Sequence, residues 1–122
     1  RVTIHTCRGN FKSAWVAEGD YAPVVDAMFS TDVDGYFMEF DSARAGGFEP
    51  LRVLAEQGGD KRVVLGLVTT KVGELEEADA LLRRIEEAAC HLPLERLCLS
   101  PQCGFSSTHH GNALSVDAQW QK

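Results

Sequence analysis

Four short apolar segments along the chain are predicted to form β-strands. They are enriched in β-branched and aromatic residues, which favour extended structure. The third segment, KRVVLGLVTT, is apolar without alternation, which is typical of a parallel strand covered on both faces. The predicted strands span residues 1–7, 35–41, 61–70 and 94–100.

Apolar residues at helical spacing separate these strands. Asp20 is predicted to N-cap the first helix, whose first turn tolerates Pro23. A second helix is predicted near residues 49–57, and it ends at Gly58. The buried stripe of the first helix is predicted to comprise Tyr21, Val24, Val25, Met28 and Phe29.

Residues 74–92 give the clearest helical pattern in the chain, and Pro93 ends it. Ser115 is predicted to cap one last helix near the end of the sequence. The buried stripe of the 74–92 helix is predicted to comprise Leu75, Ala78, Leu82, Ile85 and Ala89.

Strands that alternate with helices predict a parallel α/β architecture. Two folds fit the pattern: a sector of a (β/α)8 barrel, or a small doubly wound parallel sheet. Both folds bind their ligands at the carboxyl ends of the strands. Chemistry-bearing residues at those ends therefore point to function.

Composition narrows the classes of partner. A net charge of −6 without a basic cluster argues against nucleic acid, and no apolar run is long enough to cross a membrane. The chain opens on RVTIHTCRGN, a strand that runs straight into reactive side chains, so we expect a piece of a longer polypeptide. Its four cysteines require no disulfide framework, which favours the reducing cytosol.

Four metal-competent residues lie at or just beyond predicted strand ends. His5 and Cys7 close the first strand, and their side chains point the same way. Glu39 lies near the end of the second strand, and Cys103 follows the fourth. Imidazole, thiolate and carboxylate groups are ligands that zinc accepts in tetrahedral sites.

Each of these residues also has a structural interpretation. A His-x-Cys pair at a strand end is usually structural, Cys103 fits an ordinary loop thiol, and Glu39 fits a satisfied buried carboxylate or one that points toward a helix. Their coincidence at one edge of the sheet favours the metal site.

Other candidate residues are predicted to have structural roles. Cys90 and Cys98 fall within a helix and a strand and are expected to be small buried residues. His109 and His110 are adjacent in a loop, where a solvated surface is the simpler interpretation.

The remaining polar candidates are charged. Asp41 and Arg44 fit either a polar layer behind the metal ligands or a loop salt bridge. Arg8 and Lys12 fit contacts with an anionic substrate or with neighbouring carboxylates.

The stretches HTCRGN, FMEFDSARAGGFEPL, VVLGLVTTK and LCLSPQCGFSSTHHGN closely resemble the C-terminal part of the cobalamin-independent methionine synthases. The resemblance is strongest to the single-barrel, methionine synthase II-like members. It implies that residues 1–122 are the last four β/α units of a zinc-dependent (β/α)8 catalytic barrel. It also implies that His5, Cys7, Glu39 and Cys103 bind the zinc.

The implied reaction is methyl transfer from 5-methyltetrahydrofolate, or its polyglutamate, to the zinc-activated thiol of homocysteine, which yields methionine. The implied partners are these two substrates and the missing N-terminal half of the barrel or a second copy of the chain. Alternatives are another zinc-thiolate alkyl transfer, from an epoxide or a corrinoid methyl group, and a non-enzymatic β/α module with a structural zinc.

The chain departs from the family at one position that bears on mechanism. The two-domain synthases carry a histidine after the seventh strand, which is thought to help in proton transfer. Thr69 and Thr70 occupy the matching stretch here, so the proton donor is unassigned.

Overall fold

The computed structural model describes residues 1–106 and 108–122, without the side chain of Trp15. The strands are β1 (Thr3–Thr6), β2 (Asn10–Phe11), β3 (Ala14–Trp15), β4 (Gly35–Glu39), β5 (Arg62–Val68) and β6 (Leu97–Pro101). The centre of the structure is a parallel sheet of four strands in the order β1-β4-β5-β6, and a short antiparallel pair, β2-β3, follows β1. The helices are α1 (Val25–Phe29), α2 (Leu51–Gln57), α3 (Ala78–Ala89) and α4 (Val116–Gln121), with short 3-10 turns at Ala43–Ala45 and Leu94–Arg96.

The predicted parallel α/β architecture is confirmed. The register pairs His5 with Phe37 across β1 and β4, and Glu39 with Gly66 across β4 and β5. Gly66 in turn pairs with Ser100 of β6. Because all four strands run in the same direction, their carboxyl ends meet at one edge of the sheet.

The hydrophobic core lies on one face of the sheet. Alternate residues of the central strands, such as Tyr36 and Leu65, point into it and are fully buried against the helices. On the opposite face Phe37 is 36% exposed, and two cavities open along the strands. On this second face of β5, Gly66 and Val68 are buried and Val64 is half-buried, so the expected cover on both faces is present only in part among the described residues. A doubly wound sheet has helices on both faces, so this one-sided layer favours the barrel sector.

The first helix is shorter than predicted and starts differently. Asp20 accepts a hydrogen bond from the Ala22 amide (2.6 Å) in a local turn, and α1 begins at Val25 without a side-chain cap. The residues just before α1 form a turn, and Val24 lies in this turn with its side chain exposed to solvent. Tyr21, Val25 and Phe29 are buried as predicted.

The predicted stripe of the long helix is wrong at most positions. Leu82 is 56% exposed, and Ala78 and Leu75 also face solvent. The face that packs on the core carries Leu81, Ile85, Ala88 and Leu92 instead. Both sets have helical spacing, so periodicity alone does not decide between two apolar faces one position apart.

Several terminal signals work as predicted, and others do not. Gly58 ends α2 with a φ of +70°, and the Ser115 side chain accepts a hydrogen bond from the Ala118 amide (3.1 Å) at the start of α4. The predicted strand 94–100 begins late, because residues 94–96 form a 3-10 turn.

Among the described residues, the structure contains no helix long and apolar enough to span a membrane.

Candidate metal centre

Potential metal-ligating atoms of four residues converge at the carboxyl edge of the sheet. One ligand atom each from His5, Cys7, Glu39 and Cys103 can be chosen so that all lie within 4.8 Å of one another. β1 carries His5 and ends just before Cys7, β4 ends at Glu39, and Cys103 lies two residues beyond β6. These are the four residues expected from the sequence, brought together by the parallel register of β1, β4, β5 and β6.

The Glu39 carboxylate is held by one of its two oxygens. The side chain is buried, and its Oε2 accepts hydrogen bonds from Arg44 Nη2 (3.2 Å) and from the Arg8 backbone amide (3.3 Å). Oε1 is buried and has no hydrogen-bond partner among the described residues. A buried acceptor without a donor is costly. A cation between Glu39 and the two thiols would satisfy it, so these residues fit a metal ion.

The two thiols lie in contact. Cys7 Sγ is 3.3 Å from Cys103 Sγ, and the Gly9 amide donates to Cys7 Sγ (3.1 Å). Burial, followed by hydrogen bonds and electrostatic interactions with Glu39 and Cys7, raises the pKa of the Cys103 thiol to about 12. The site disfavours another negative charge on its own, whereas a bound metal ion would favour the thiolate.

A cavity of about 380 Å³ opens beside these atoms on the uncovered face of the sheet. His5, Glu39 and Cys103 line it together with Phe37 and Gly66. A Cβ at Gly66 would lie 3.1 Å from the Met38 carbonyl oxygen, so glycine allows the close approach of β4 and β5 here. The arrangement leaves room for an organic ligand next to the metal-competent group.

A row of buried charges lies behind the group. Arg44 Nε donates to Asp41 Oδ1 (3.4 Å), and Lys71 Nζ donates to Asp41 Oδ2 (3.1 Å) and to Gln102 Oε1 (2.6 Å). Burial raises the pKa of Asp41, but the hydrogen bonds and charges of Lys71 and Arg44 outweigh it and leave the pKa below its ordinary value. The Asp41–Arg44 salt bridge is one of the two expected forms. Sequence reasoning missed Lys71 and Gln102, although both follow strands at the ligand-binding edge.

The other sequence candidates lie outside the group. Cys90 is exposed rather than buried, because it follows α3 on the solvent side, and Cys98 is half-buried within β6. His109 and His110 are exposed, as predicted, with ring centroids 3.8 Å apart.

Arg8 is occupied within the fold. Its guanidinium lies 3.8 Å from the centre of the Tyr21 ring and donates to the Gly19 carbonyl oxygen (2.6 Å). Lys12 stands in a tight turn between β2 and β3 and extends over the Phe11 ring, 5.6 Å from its centre. Neither Arg8 nor Lys12 is among the described residues that line the 380 Å³ cavity beside the metal-competent group.

A parallel α/β sheet with helices on one face carries a His, two Cys and a Glu at its carboxyl edge, which is the edge where parallel α/β folds bind their ligands. The chain matches the family described as "Cobalamin-independent synthase, Catalytic domain" over residues 1–116, and it belongs to that family.

Two relatives come from Bacillus subtilis (strain 168). The uncharacterized protein YxjG is 53% identical over 122 residues, which cover 99% of this chain and 32% of that protein. The uncharacterized protein YxjH is 48% identical over the same shares. The chain thus spans about a third of the length of these relatives.

Two solved structures are similar. A putative vitamin-B12 independent methionine synthase from Listeria monocytogenes has a TM-score of 0.65 and 34% identity, and the match covers 98% of this chain and 30% of that one. A B12-independent methionine synthase from Shewanella sp. W3-18-1, in complex with selenomethionine, has a TM-score of 0.70 and 16% identity, covering 96% and 33%. At that identity the second match shows the fold alone.

Proposed function

We propose that the whole polypeptide that carries these residues is a zinc-dependent methyltransferase. It transfers the N5-methyl group of 5-methyltetrahydrofolate, or of its polyglutamate, to the thiol of homocysteine and releases methionine and tetrahydrofolate. The observation that carries the proposal is the convergence of His5, Cys7, Glu39 and Cys103 within 4.8 Å. Membership of the cobalamin-independent synthase family supports methyl transfer in general.

The four residues are assigned to the zinc in this proposal. One nitrogen, two sulfurs and one carboxylate oxygen form a donor set that zinc accepts in tetrahedral geometry. Zinc bound there would lower the pKa of an incoming thiol, so that the nucleophilic thiolate is present at neutral pH. Arg44 and the Arg8 amide hold Glu39 Oε2, which leaves Oε1 available for the ion. Because the ligand thiols must stay reduced, we assign the protein to the cytosol.

The cavity beside the group is the proposed place of the reacting ends of both substrates. Its wall combines the Phe37 ring with the polar side chains of Thr3 and Ser100.

The tetrahydrofolate nitrogen must take up a proton as the methyl group departs. Thr69 and Thr70 occupy the stretch where the two-domain synthases carry the histidine that is thought to help in this proton transfer. Both hydroxyls are engaged within the fold: Thr69 Oγ1 donates to Gln102 (3.3 Å), and Thr70 Oγ1 accepts from Asn10 (3.4 Å).

We also propose that residues 1–122 are the C-terminal part of one catalytic barrel. β1 and β6 are the outer strands of the sheet, and each pairs on one side only among the described residues. Unpaired strand edges and an uncovered inner face favour association with further strands. The remaining strands would come from the preceding part of the polypeptide or, for this segment alone, from a second copy.

Light scattering combined with intact-mass analysis tests the barrel. The segment alone is expected to associate, whereas the whole polypeptide is expected to give a defined species. A stable monomer of only these 122 residues with a closed core would contradict the barrel proposal.

An assay of the whole polypeptide tests the reaction. Zinc-loaded protein is incubated with homocysteine and 5-methyltetrahydrofolate, and methionine is measured by mass spectrometry. We expect turnover by the unsubstituted protein and by Cys90→Ser, whose thiol lies outside the site, and a loss of more than about 100-fold in Cys7→Ala. Zinc-loaded protein that forms no methionine would refute the reaction.

The same assay separates the alternatives. If methionine appears only with another methyl donor, the protein is a different alkyl transferase of the superfamily. If zinc is bound but its coordination is unchanged by homocysteine, the ion is structural.

A further inference from the structure

Arg44, Asp41 and Lys71 form a row of alternating charges, here named the charged row, that lies behind the candidate metal centre. Arg44 Nε is 3.4 Å from Asp41 Oδ1, and Lys71 Nζ is 3.1 Å from Asp41 Oδ2. All three side chains are at most 6% exposed. Water contributes little to solvating these charges, so their energy depends on the pairing geometry.

One end of the charged row contacts Glu39. Arg44 Nη2 donates to Glu39 Oε2 (3.2 Å), and Nη1 donates to the Gly9 carbonyl oxygen (3.4 Å), two residues beyond Cys7. The planar guanidinium therefore contacts the segments that carry two of the four metal-competent residues. Because Oε2 is engaged, the unpartnered Oε1 is the oxygen left for an ion.

The other end of the charged row contacts the residue before Cys103. Lys71 Nζ donates to Gln102 Oε1 (2.6 Å), and the Gln102 backbone amide donates to the Val68 carbonyl oxygen (3.0 Å). Gln102 is 7% exposed and is fixed at both its side chain and its backbone. The segment that leads into Cys103 is thus held against the end of β5.

We propose that the charged row is a positioning device for the metal: Arg44 orients the Glu39 carboxylate, and Lys71, through Gln102, places Cys103. This inference rests on the metal site of the proposed function but not on the reaction. Groups that hold metal ligands from behind orient them and tune their affinity, and their loss typically weakens metal binding by about 10–100-fold.

Zinc affinity of the whole polypeptide, measured by competition with a chelator, tests the charged row. Arg44→Gln is expected to raise the Kd for zinc by about 10–100-fold, and Lys71→Met by about 10-fold. Arg44→Lys keeps the charge but loses the planar fork, so it should restore only part of the affinity. Asp41→Asn removes the central charge and is expected to weaken binding as well, which provides a second variant if Arg44→Gln does not fold.

Arg96 supplies the matched control. It is a buried arginine at the opposite end of the sheet, and it donates to the Lys61 carbonyl oxygen (2.9 Å). Arg96→Gln is expected to lower stability while leaving the zinc Kd within about twofold. If folded variants of Arg44 and Arg96 change the Kd equally, or if neither changes it, the positioning role is refuted.

A double-mutant cycle separates positioning from general destabilisation. In a Glu39→Gln background, Arg44→Gln should cause little further loss of zinc affinity, because the carboxylate it orients is gone. Additive losses would contradict the proposal. Failure of the unsubstituted protein to bind zinc would overturn the positioning role together with the metal site. Zinc binding without methionine formation would refute only the reaction.

Discussion

The two ends of the sheet both contain buried cations, but the partners of those cations differ. At the amino end, Arg96 donates to the backbone carbonyls of Lys61 (2.9 Å) and Leu54 (3.2 Å), and Lys61 Nζ donates to a turn carbonyl. At the carboxyl end, Arg44 and Lys71 pair with carboxylates. The cations at the amino end thus bind backbone carbonyls of a helix, a turn and the residue before β5. The cations at the carboxyl end bind and orient acidic side chains.

Buried polar atoms that have no hydrogen-bond partner are also distributed unevenly between the two ends of the sheet. Besides Glu39 Oε1, three buried polar atoms near the carboxyl end have no hydrogen-bond partner among the described residues. They are Asn10 Oδ1, Gln102 Nε2 and Asn112 Oδ1. Folded proteins seldom leave such atoms unsatisfied without a ligand, ion or water. The fifth such atom among the described residues is Arg84 Nε, on α3. Four of the five thus lie near the carboxyl end, where a ligand, an ion or water would satisfy them.

The largest expected effect comes from the carboxyl end. Cys103→Ser removes one of two sulfur donors, so we expect zinc affinity to fall by more than about 100-fold, beyond the loss typical of residues that only support a ligand. Equilibrium dialysis with metal analysis measures it. Cys98→Ser, within β6 and outside the metal-competent group, is the control. Full zinc occupancy and activity in Cys103→Ser would contradict the site.

Substitution at the amino end of the sheet should change the free energy of unfolding and leave zinc affinity unaffected. Arg96→Gln leaves the carbonyls of Leu54 and Lys61 without their charged donor, and we expect a loss of about 2–4 kcal/mol in the free energy of unfolding. Urea denaturation of the whole polypeptide measures it. Arg84→Gln removes an ion pair that is 36% and 55% exposed, and it should cost less than about 1 kcal/mol. Equal losses in the two variants would remove the distinction.

Low pH should remove the stabilisation that the ion pairs of Asp41 provide at the carboxyl end of the sheet. The pKa of Asp41 is lowered from 3.8 in the folded state, so its pairing stabilises the fold above that value. The stabilisation is lost as the pH falls through the lower, folded-state pKa. Metal-free Asp41→Asn is therefore expected to be less stable by about 1–3 kcal/mol at pH 7, and the difference should shrink toward pH 2. A difference that is constant with pH would contradict the ion pairing.

The smallest effect is expected at a residue that belongs to neither end. Cys90 is exposed, and its thiol contacts only the Glu86 carbonyl of its own helix (3.4 Å) among the contacts described. Cys90→Ser should change the free energy of unfolding by less than about 0.5 kcal/mol and leave zinc binding intact. A larger loss would restore the expectation that Cys90 is buried.

The fold class and the metal-competent residues were predictable because they depend on simple rules. Parallel strands bring their carboxyl ends together, so His5, Glu39 and Cys103 had to lie at one edge once the strands were assigned. Local signals such as Gly58 and Ser115 also acted as predicted, since each is decided by the backbone within one turn.

What the sequence could not supply was the packing between elements. Leu81 and Leu82 are equally apolar, and only the position of α3 on the sheet decides which of them faces the core. The sequence does not single out Lys71, because a lysine after a strand is usually solvated. Its burial depends on Asp41 and Gln102, which come from two other segments of the chain.

X-ray absorption on the zinc-loaded whole polypeptide is the sharpest test of the metal centre, because it counts the donors around the ion. We expect two sulfurs at about 2.3 Å together with one nitrogen and one oxygen at about 2.0–2.2 Å. In Cys103→Ser the sulfur count should fall to one in any zinc that remains bound. A zinc shell without sulfur, or one unchanged by the loss of Cys103, would contradict the assignment of His5, Cys7, Glu39 and Cys103 as the metal site.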